Sequence, residues 1–279
     1  MSDPLFSIVI VNYNYGRFLD AALGSVLDQS CADREVIVVD GGSSDDSVRV
    51  IERHAERIAW WCSEPDKGQS DAFNKGFSRA RGRFLTWLNA DDIMFPGALA
   101  RAEATIRAHA GCEWFTAGCF WLDPELRVIR CTRARSFSRL RARFGEIPVW
   151  APSSFFSRSL YDRAGGLDDM FHYMMDTELW LRFHRRGGAE YRPVPGYCWG
   201  LRLHPDAKMS GHNFGDSAQA CETHPRWAQL ARERQTLLSR YDMRTMTPLI
   251  RVASTAPVAW CAGAIDTLRF RGKYWHDCI

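Results

Sequence analysis

The chain lacks any run of about 20 apolar residues, the length a membrane-spanning helix needs. Pro248 to Ile265 comes nearest, and Arg251 interrupts it. Met1 to Phe6 holds neither a basic stretch nor a long apolar run, which reads as the absence of a signal peptide. No two of the nine cysteines have the spacing of a zinc knuckle or a redox C-x-x-C motif. Scattered single cysteines read as free thiols of a reducing compartment. There is no G-x-G-x-x-G fingerprint, P-loop, internal repeat or low-complexity linker. Charge of one sign is also scarce. Lys and Arg number 36 and Asp and Glu 33, and the net +3 is too small to argue for nucleic acid as a partner. The expected location is cytoplasmic, with peripheral contact at the inner face of the membrane left open.

Hydrophobic residues make up 46% and charged residues 25% of 279 residues, so the chain is globular. It is long enough for one large α/β domain, or one domain with a small appendage. Phe6 to Val11 is a β-rich run ending in the turn residues Asn12 to Gly16. Phe18, Ala22 and Val26, with Leu19, Leu23 and Leu27, predict a helix. Further strands are expected at Glu35–Val39, Ile58–Cys62 and Phe84–Leu88, and a helix at Gln69–Arg79. Asp45 and Asp46 stand at the start of another helix, where the dipole favours negative charge. Alternation of this kind implies a parallel, doubly wound sheet whose ligand lies beyond the carboxyl ends of its strands. Tyr13, Asp40, Glu64 and Asp91-Asp92 all fall there.

The second half is less regular. Glu113 to Arg130 predicts two strands about a turn at Asp123-Pro124. Ser153–Phe156 reads as a strand, Asp176–Arg186 as a helix and Glu190–Leu203 as extended, with mostly helix from Trp227 onward.

Several segments carry possible chemistry, each with a plainer structural reading. Adjacent carboxylates at Asp91-Asp92 repel unless a cation or donors offset them, and magnesium is commonly held by one or two carboxylates plus substrate phosphates. Alternatively they cap a helix begun by Pro96. In the polar loop Glu64 to Asp71, Lys67 suits a phosphate and Asp71 a ribose or base, or the loop is an ordinary capped turn. Asp40-Gly41-Gly42-Ser43 lets a ligand approach the backbone closely, or is a tight βα turn. Asp176, after Gly165 and Gly166, suits a general base, or is a helix cap with Glu178 in the first turn. His204, followed by Pro205-Asp206 and Lys208, suits a metal and a diphosphate, or is a structural histidine.

Taken in order, these segments resemble the inverting glycosyltransferase family 2. The matching text is Ser7 to Asn14, Val38 to Ser43, Ser63 to Gly76, Trp87 to Asp92, Gly165 to Asp168, Asp176 to Arg182 and Arg202 to Asp206. Each motif is weak alone, and seven in order are specific; they cover roughly residues 6–208. The resemblance implies a GT-A fold: a Rossmann-like, mainly parallel sheet flanked by helices. It would occupy residues 1–210, with a nucleotide half to about 110, an acceptor half after it, and a mostly helical extension over 211–279. It implies transfer of a sugar, with inversion, from a nucleoside-diphosphate donor to a carbohydrate or glycolipid acceptor in surface polysaccharide or glycolipid synthesis, with Mn or Mg as divalent metal. Tyr13 and Asp40 would meet the base, Lys67 and Asp71 the nucleoside diphosphate, Asp91 the ribose, Asp92 and His204 the metal, and Lys208 the diphosphate. Ala90-Asp91-Asp92 lacks the first acid of a literal D-x-D. The family's base falls on Asp176; where the family often has Glu-Asp this chain has Met175-Asp176, which leaves Glu178 as the alternative. UDP is the favoured nucleotide, because Asp40 would accept the uracil N–H.

Other readings differ in class. A nucleotidyltransferase needs a glycine-rich, arginine-bearing loop after the first strand, where this chain has Asn12 to Gly16. A catalytically inert nucleotide-sugar-binding module would keep the fold without its base or metal acid, and both Asp92 and Asp176 are present. The cluster Arg130, Arg133, Arg135, Arg139, Arg141 and Arg143 lacks the aromatic platforms of a single-strand binder. With Phe137, Leu140 and Phe144 at helical spacing, it is an amphipathic element facing anionic lipid or a solvated face. The tail, with Leu249, Ile250, Val252, Trp260, Leu268 and Phe270, either touches a membrane or packs back onto the domain.

Overall fold

Strand β1 (Phe6–Asn12) is buried at all seven positions, as expected of a central strand covered on both faces. It runs parallel to β2 (Arg34–Asp40) and β4 (Phe84–Asn89), with Phe6 opposite Arg34 and Phe84. β3 (Trp60–Ser63) extends the parallel set beyond β2. The crossovers are α1 (Gly16–Leu27), α2 (Ser47–Arg53) and α3 (Gln69–Arg79). After β5 (Ile93–Met94) and α4 (Ala98–Ala108) the chain enters β6 (Trp114–Leu122), β7 (Val128–Thr132), β8 (Ser154–Ser157), α5 (Arg158–Ala164), α6 (Met175–Arg185) and β9 (Tyr191–Arg202). A further helix, α7 (Pro225–Arg240), follows. The computed structural model describes residues 3–139, 149, 153–208, 225–241 and 266–278.

Among these residues one sheet runs β3-β2-β1-β4-β8-β6-β9-β5, with β7 also pairing β6. β8 is antiparallel to β4 and β6, while β6 and β9 are parallel. The alternation of side chains along β1 sorts two cores. Ile8 and Ile10 join Leu19, Leu23, Val38, Ile51, Leu99 and Trp199 on one face. Val9 and Val11 join Val39, Phe73, Phe77, Leu179 and Phe183 on the other. Gly76 brings α3 onto this second face, because a Cβ there would lie 2.3 Å from Val9 Cγ1.

An aromatic ladder ties the two halves of the sheet. Phe73 lies 5.0 Å from Trp87, Trp87 5.5 Å from Trp180, and Trp180 5.2 Å from Trp114. Each such pair adds about 0.5–1.5 kcal/mol beyond the area it buries.

The structure changes several expectations. The helix after Pro96 begins at Ala98, behind a left-handed Gly97 and after β5, so Asp91-Asp92 does not cap it. The short β5 and α5 lack the length for a period to show in the sequence. Residues 133–138, expected in an amphipathic helix, are irregular. Three of the cluster's arginines have partners: Arg130 lies over Trp121, Arg133 pairs with Asp266 and Arg139 with Glu190. Arg141 and Arg143 lie outside the described residues, as do Leu249, Ile250, Val252 and Trp260. Where the tail is described, Phe270 and Trp275 pack against the core around Phe95 and Phe120, while Leu268 is exposed. Seven cysteines among the described residues are free thiols. No helix among them is long and apolar enough to cross a membrane.

Trp180 has no exposed surface and joins four aromatic neighbours, Trp87, Trp114, Phe156 and Phe183. Trp180→Ala is expected to lower unfolding free energy by about 3–5 kcal/mol, read from denaturant titration.

Candidate active site

The parallel register sets β1, β2 and β4 to end together. Asn12 stands opposite Asp40, and Asn89 opposite Val11. Beside them, Asp45 Oδ2 accepts the N–H of Gly16 at 2.9 Å and its Oδ1 that of Ser47 at 3.0 Å, so one carboxylate fixes the starts of α1 and α2.

Asp40 is fully buried. Its Oδ1 accepts from Asn12 Nδ2 at 2.6 Å and Ser43 Oγ at 2.5 Å; its Oδ2 accepts from Ser43 N at 2.9 Å and Ser63 Oγ at 2.6 Å. Four donors fill the acceptor positions of a carboxylate. This carboxylate organises the turn at which the base contact of Asp40 was expected. Asp66, on the next loop, is half-buried. A Cβ on Gly41 would lie 2.6 Å from Asp66 Oδ2 and 3.3 Å from Tyr13 Cδ2, so the glycine lets both side chains approach the backbone closely. Tyr13 is 63% exposed. Gly68 N–H holds Asp66 Oδ1 at 2.8 Å, and burial raises the Asp66 pKa above its ordinary value. Asp71 Oδ2 accepts the N–H of Lys67 at 3.0 Å, which ties the loop and leaves the exposed Lys67 side chain at its tip.

At the end of β4, His204 Nε2 lies 3.1 Å from Asp91 Oδ2. The imidazole packs against Tyr15 and Phe18, with centroids 5.3 and 4.6 Å away. Asp92 turns inward instead. Its Oδ1 accepts the N–H of Arg202 at 3.1 Å and its Oδ2 accepts from Asn89 Nδ2 at 2.9 Å. Burial, and then the charge of Asp91, push the Asp92 pKa well above the usual carboxylate range. The expected pairing of Asp92 with His204 is thus replaced by Asp91 with His204. Read from Asn89, the triplet Asn89-Ala90-Asp91 has D-x-D spacing with an amide in its first place.

A chain of hydrogen bonds crosses this edge. Lys208 Nζ donates to His172 O and, at 2.7 Å, to Gln69 Oε1. Gln69 Nε2 donates to Asn89 Oδ1 at 2.6 Å, and Asn89 continues to Asp92. Burial lowers the Lys208 pKa from 10.5 to about 8, against the opposing charges of Asp176 and Glu233. Asp176 is partly buried; its Oδ1 accepts only from Thr177, through N–H at 2.6 Å and Oγ1 at 3.2 Å. Burial raises its pKa, as a base that must accept a proton near neutrality requires. Glu178, the alternative base, is closed off. It has no exposed surface and is held by Arg182 Nε at 2.8 Å, Tyr241 Oη at 2.8 Å and Arg240 at 3.2 Å.

The residues fit a divalent cation in one arrangement. Among the described residues no three His, Cys, Asp or Glu side chains form a ligand group, so protein donors alone do not complete a shell. Asp91 and His204 supply an oxygen and a nitrogen, and His204 Nδ1 is buried without a partner. A cation there would also ease the repulsion between Asp91 and Asp92. Sequence reasoning missed Asp66, Gln69 and Asn89, although all three lie inside quoted motifs. It also missed Glu233, discussed below, which no local pattern marks.

Residues 7–145 match the model of Glycosyl transferase family 2. An uncharacterized glycosyltransferase of Mycobacterium tuberculosis is 32% identical over 183 residues, 65% of this chain and 69% of that one. Against another curated glycosyltransferase, from Nostoc, the match spans 30% of that protein's length. The crystal structure of S. aureus TarS 1-349 with UDP-GlcNAc superposes with a TM-score of 0.57 at 16% identity, over 76% of this chain and 61% of that one. Mannosyltransferase PcManGT of Pyrobaculum calidifontis, in complex with GDP-Man and Mn2+, gives 0.55 at 17% identity, over 96% and 88%. Both establish the GT-A-type fold.

A lysine whose pKa is lower folded than unfolded makes stability rise with pH, because the unfolded chain holds more protons between the two values. Unfolding free energy is expected to gain a rising component between about pH 8 and 10.5, and Lys208→Met to remove it. Denaturant titrations of both proteins across that range check this.

Proposed function

We propose that this chain, which belongs to glycosyl transferase family 2, moves a sugar from a nucleoside-diphosphate donor to an acceptor hydroxyl with inversion at the anomeric carbon. The single observation that carries the reading is the placing, at one sheet edge, of two half-buried groups within each other's electrostatic reach: a carboxylate with raised pKa, Asp176, and the amine of Lys208. The first can receive a proton and the second can meet departing negative charge.

The base of the nucleotide would lie against Tyr13, with Asp66 Oδ2 accepting a ring N–H across Gly41. Uracil and guanine both offer such a donor, in line with the UDP-GlcNAc and GDP-Man complexes of the two structural neighbours; with the contact at Asp66 the expectation of UDP widens to either base. Lys67 and Asp71 would meet the nucleoside diphosphate, with Asp71 acting through the loop it ties. Asp91 and His204 would hold a divalent metal, Mn or Mg, whose charge neutralises the diphosphate when bound. Asp40 and Asp92 would act indirectly, by shaping the turns that carry these groups.

In the reaction Asp176 takes the proton of the acceptor hydroxyl. The oxygen forms a bond to the anomeric carbon from the face opposite the diphosphate, and the carbon–oxygen bond to the diphosphate breaks. Lys208 donates a hydrogen bond to the leaving oxygen, in place of its bond to Gln69. One displacement inverts the configuration. The acceptor class, a surface polysaccharide or glycolipid, rests on the family resemblance, and a cytoplasmic location on the scattered free thiols.

Calorimetric titration of UDP, GDP and dTDP, with manganese and again with chelator, tests the donor half of the account. One nucleotide is expected to bind in a metal-dependent way. Asp91→Asn and His204→Ala should lose that metal dependence, while Asp92→Asn keeps it and lowers stability. Absence of binding by any nucleotide to the folded protein would favour the inert nucleotide-sugar-binding module instead. NMR of the first product formed then reads the anomeric configuration, and retention would contradict the single displacement.

A further inference from the structure

Helix α7 lies far along the chain from the motifs, yet it reaches the turn that carries Asp176. Glu233 is 6% exposed. Its Oε1 accepts the N–H of His172 at 2.9 Å, and its Oε2 accepts those of Tyr173 at 2.7 Å and Met174 at 3.0 Å. Met174 is the N-cap of α6, and its own side chain caps nothing. A helix start leaves N–H groups unsatisfied and carries partial positive charge, so it favours an anion. Here a carboxylate from another helix takes that place. Lys208 donates to the carbonyl of His172 in the same turn. The turn is therefore gripped through its amides by Glu233 and through a carbonyl by Lys208. Asp176 lies two residues beyond Met174, in the first turn of α6.

We propose that Glu233 is a positioning residue for glycosyl transfer: it fixes the 172–174 turn and, through it, the direction of the Asp176 carboxylate. The inference rests on Asp176 being the base. A purely stabilising role for Glu233 would duplicate contacts already present. Leu237 is buried in the apolar core, Arg240 bonds Asp168 Oδ2 at 2.6 Å and Glu178 Oε1 at 3.2 Å, and Tyr241 bonds Glu178. These dock the helix without touching the turn. Glu233 also borders a cavity of about 230 Å³ lined by Met170, Phe171, Gln229, Arg232 and Thr236. Water from that side can replace a lost carboxylate oxygen, because the space is polar enough to hold it. Substitution at Glu233 is thus expected to free the turn without undoing the fold.

The test uses the full chain and compares Glu233→Gln with Leu237→Ala, which loosens the helix but leaves the turn's bonds in place. Hydrogen exchange at the amides of 172–174, donor affinity by calorimetry, and kcat are measured for each. Glu233→Gln is expected to speed exchange at those amides and lower kcat by about ten- to a hundredfold, the cost of a misaimed reacting group, with donor affinity unchanged. Leu237→Ala is expected to lower stability and leave kcat near that of the unmodified chain. Unchanged kcat in Glu233→Gln with faster exchange would overturn the inference, as would equal loss of kcat in both variants. Loss of donor affinity in parallel with kcat would also overturn it, by placing Glu233 in the donor site. If Asp176→Asn keeps full activity, the base assignment falls and this inference with it; if only Glu233→Gln does, the base assignment stands.

Discussion

A buried carboxylate is costly unless donors or cations meet it, and this constraint organises the whole edge of the sheet. Asp40 takes four donors, Glu178 takes Arg182, Tyr241 and Arg240, and Glu233 takes three backbone N–H groups. Each is saturated, and each fixes a turn or helix. The acids left with an open oxygen are few. Asp66 has Oδ2 close against Gly41, Asp91 shares one oxygen with His204, and Asp176 is bonded to its neighbour Thr177. Donor saturation therefore separates acids that hold the scaffold from acids free to do chemistry.

The scaffold acids also join parts of the chain that packing alone would leave loosely related. The aromatic ladder from Phe73 to Trp114 joins the parallel first half of the sheet to its later strands through the interior. The hydrogen-bonded chain Lys208–Gln69–Asn89–Asp92 makes the same connection at the surface edge. One is nonpolar and short-range; the other is polar and directional. Together they fix the distance between the loop after β3 and the start of α6.

Much of this was legible in the sequence. The first four strands and their helices follow from continuous apolar runs and from spacings of four, because a central parallel strand must be apolar on both faces. Turn residues then place polar groups at the carboxyl ends. What the sequence could not show was which oxygen is spent. Asp91 and Asp92 are adjacent and identical in type, and only the turn between β4 and β5 decides that one meets His204 and the other the N–H of Arg202. Asp40 was singled out at its strand end and Asp66 was not, because the donors around Asp40 come from Asn12, Ser43 and Ser63 on separate segments. Glu233 was beyond reach for a different reason. Its partners lie about sixty residues earlier, and a lone glutamate in an amphipathic helix carries no sign of a long-range role.

The division between spent and free carboxylates is tested most directly by a matched pair, Asp176→Asn and Glu178→Gln, measured for both transfer rate and unfolding free energy. These acids are two residues apart on one helix, and each loses only its charge. Asp176→Asn is predicted to reduce transfer by about a hundred- to ten-thousandfold with little loss of stability. Glu178→Gln is predicted to cost roughly 3–5 kcal/mol of stability, as when a buried ion pair is broken, while the folded fraction retains its transfer rate. The reverse pattern, a stable but inactive Glu178→Gln beside an active Asp176→Asn, would contradict the account.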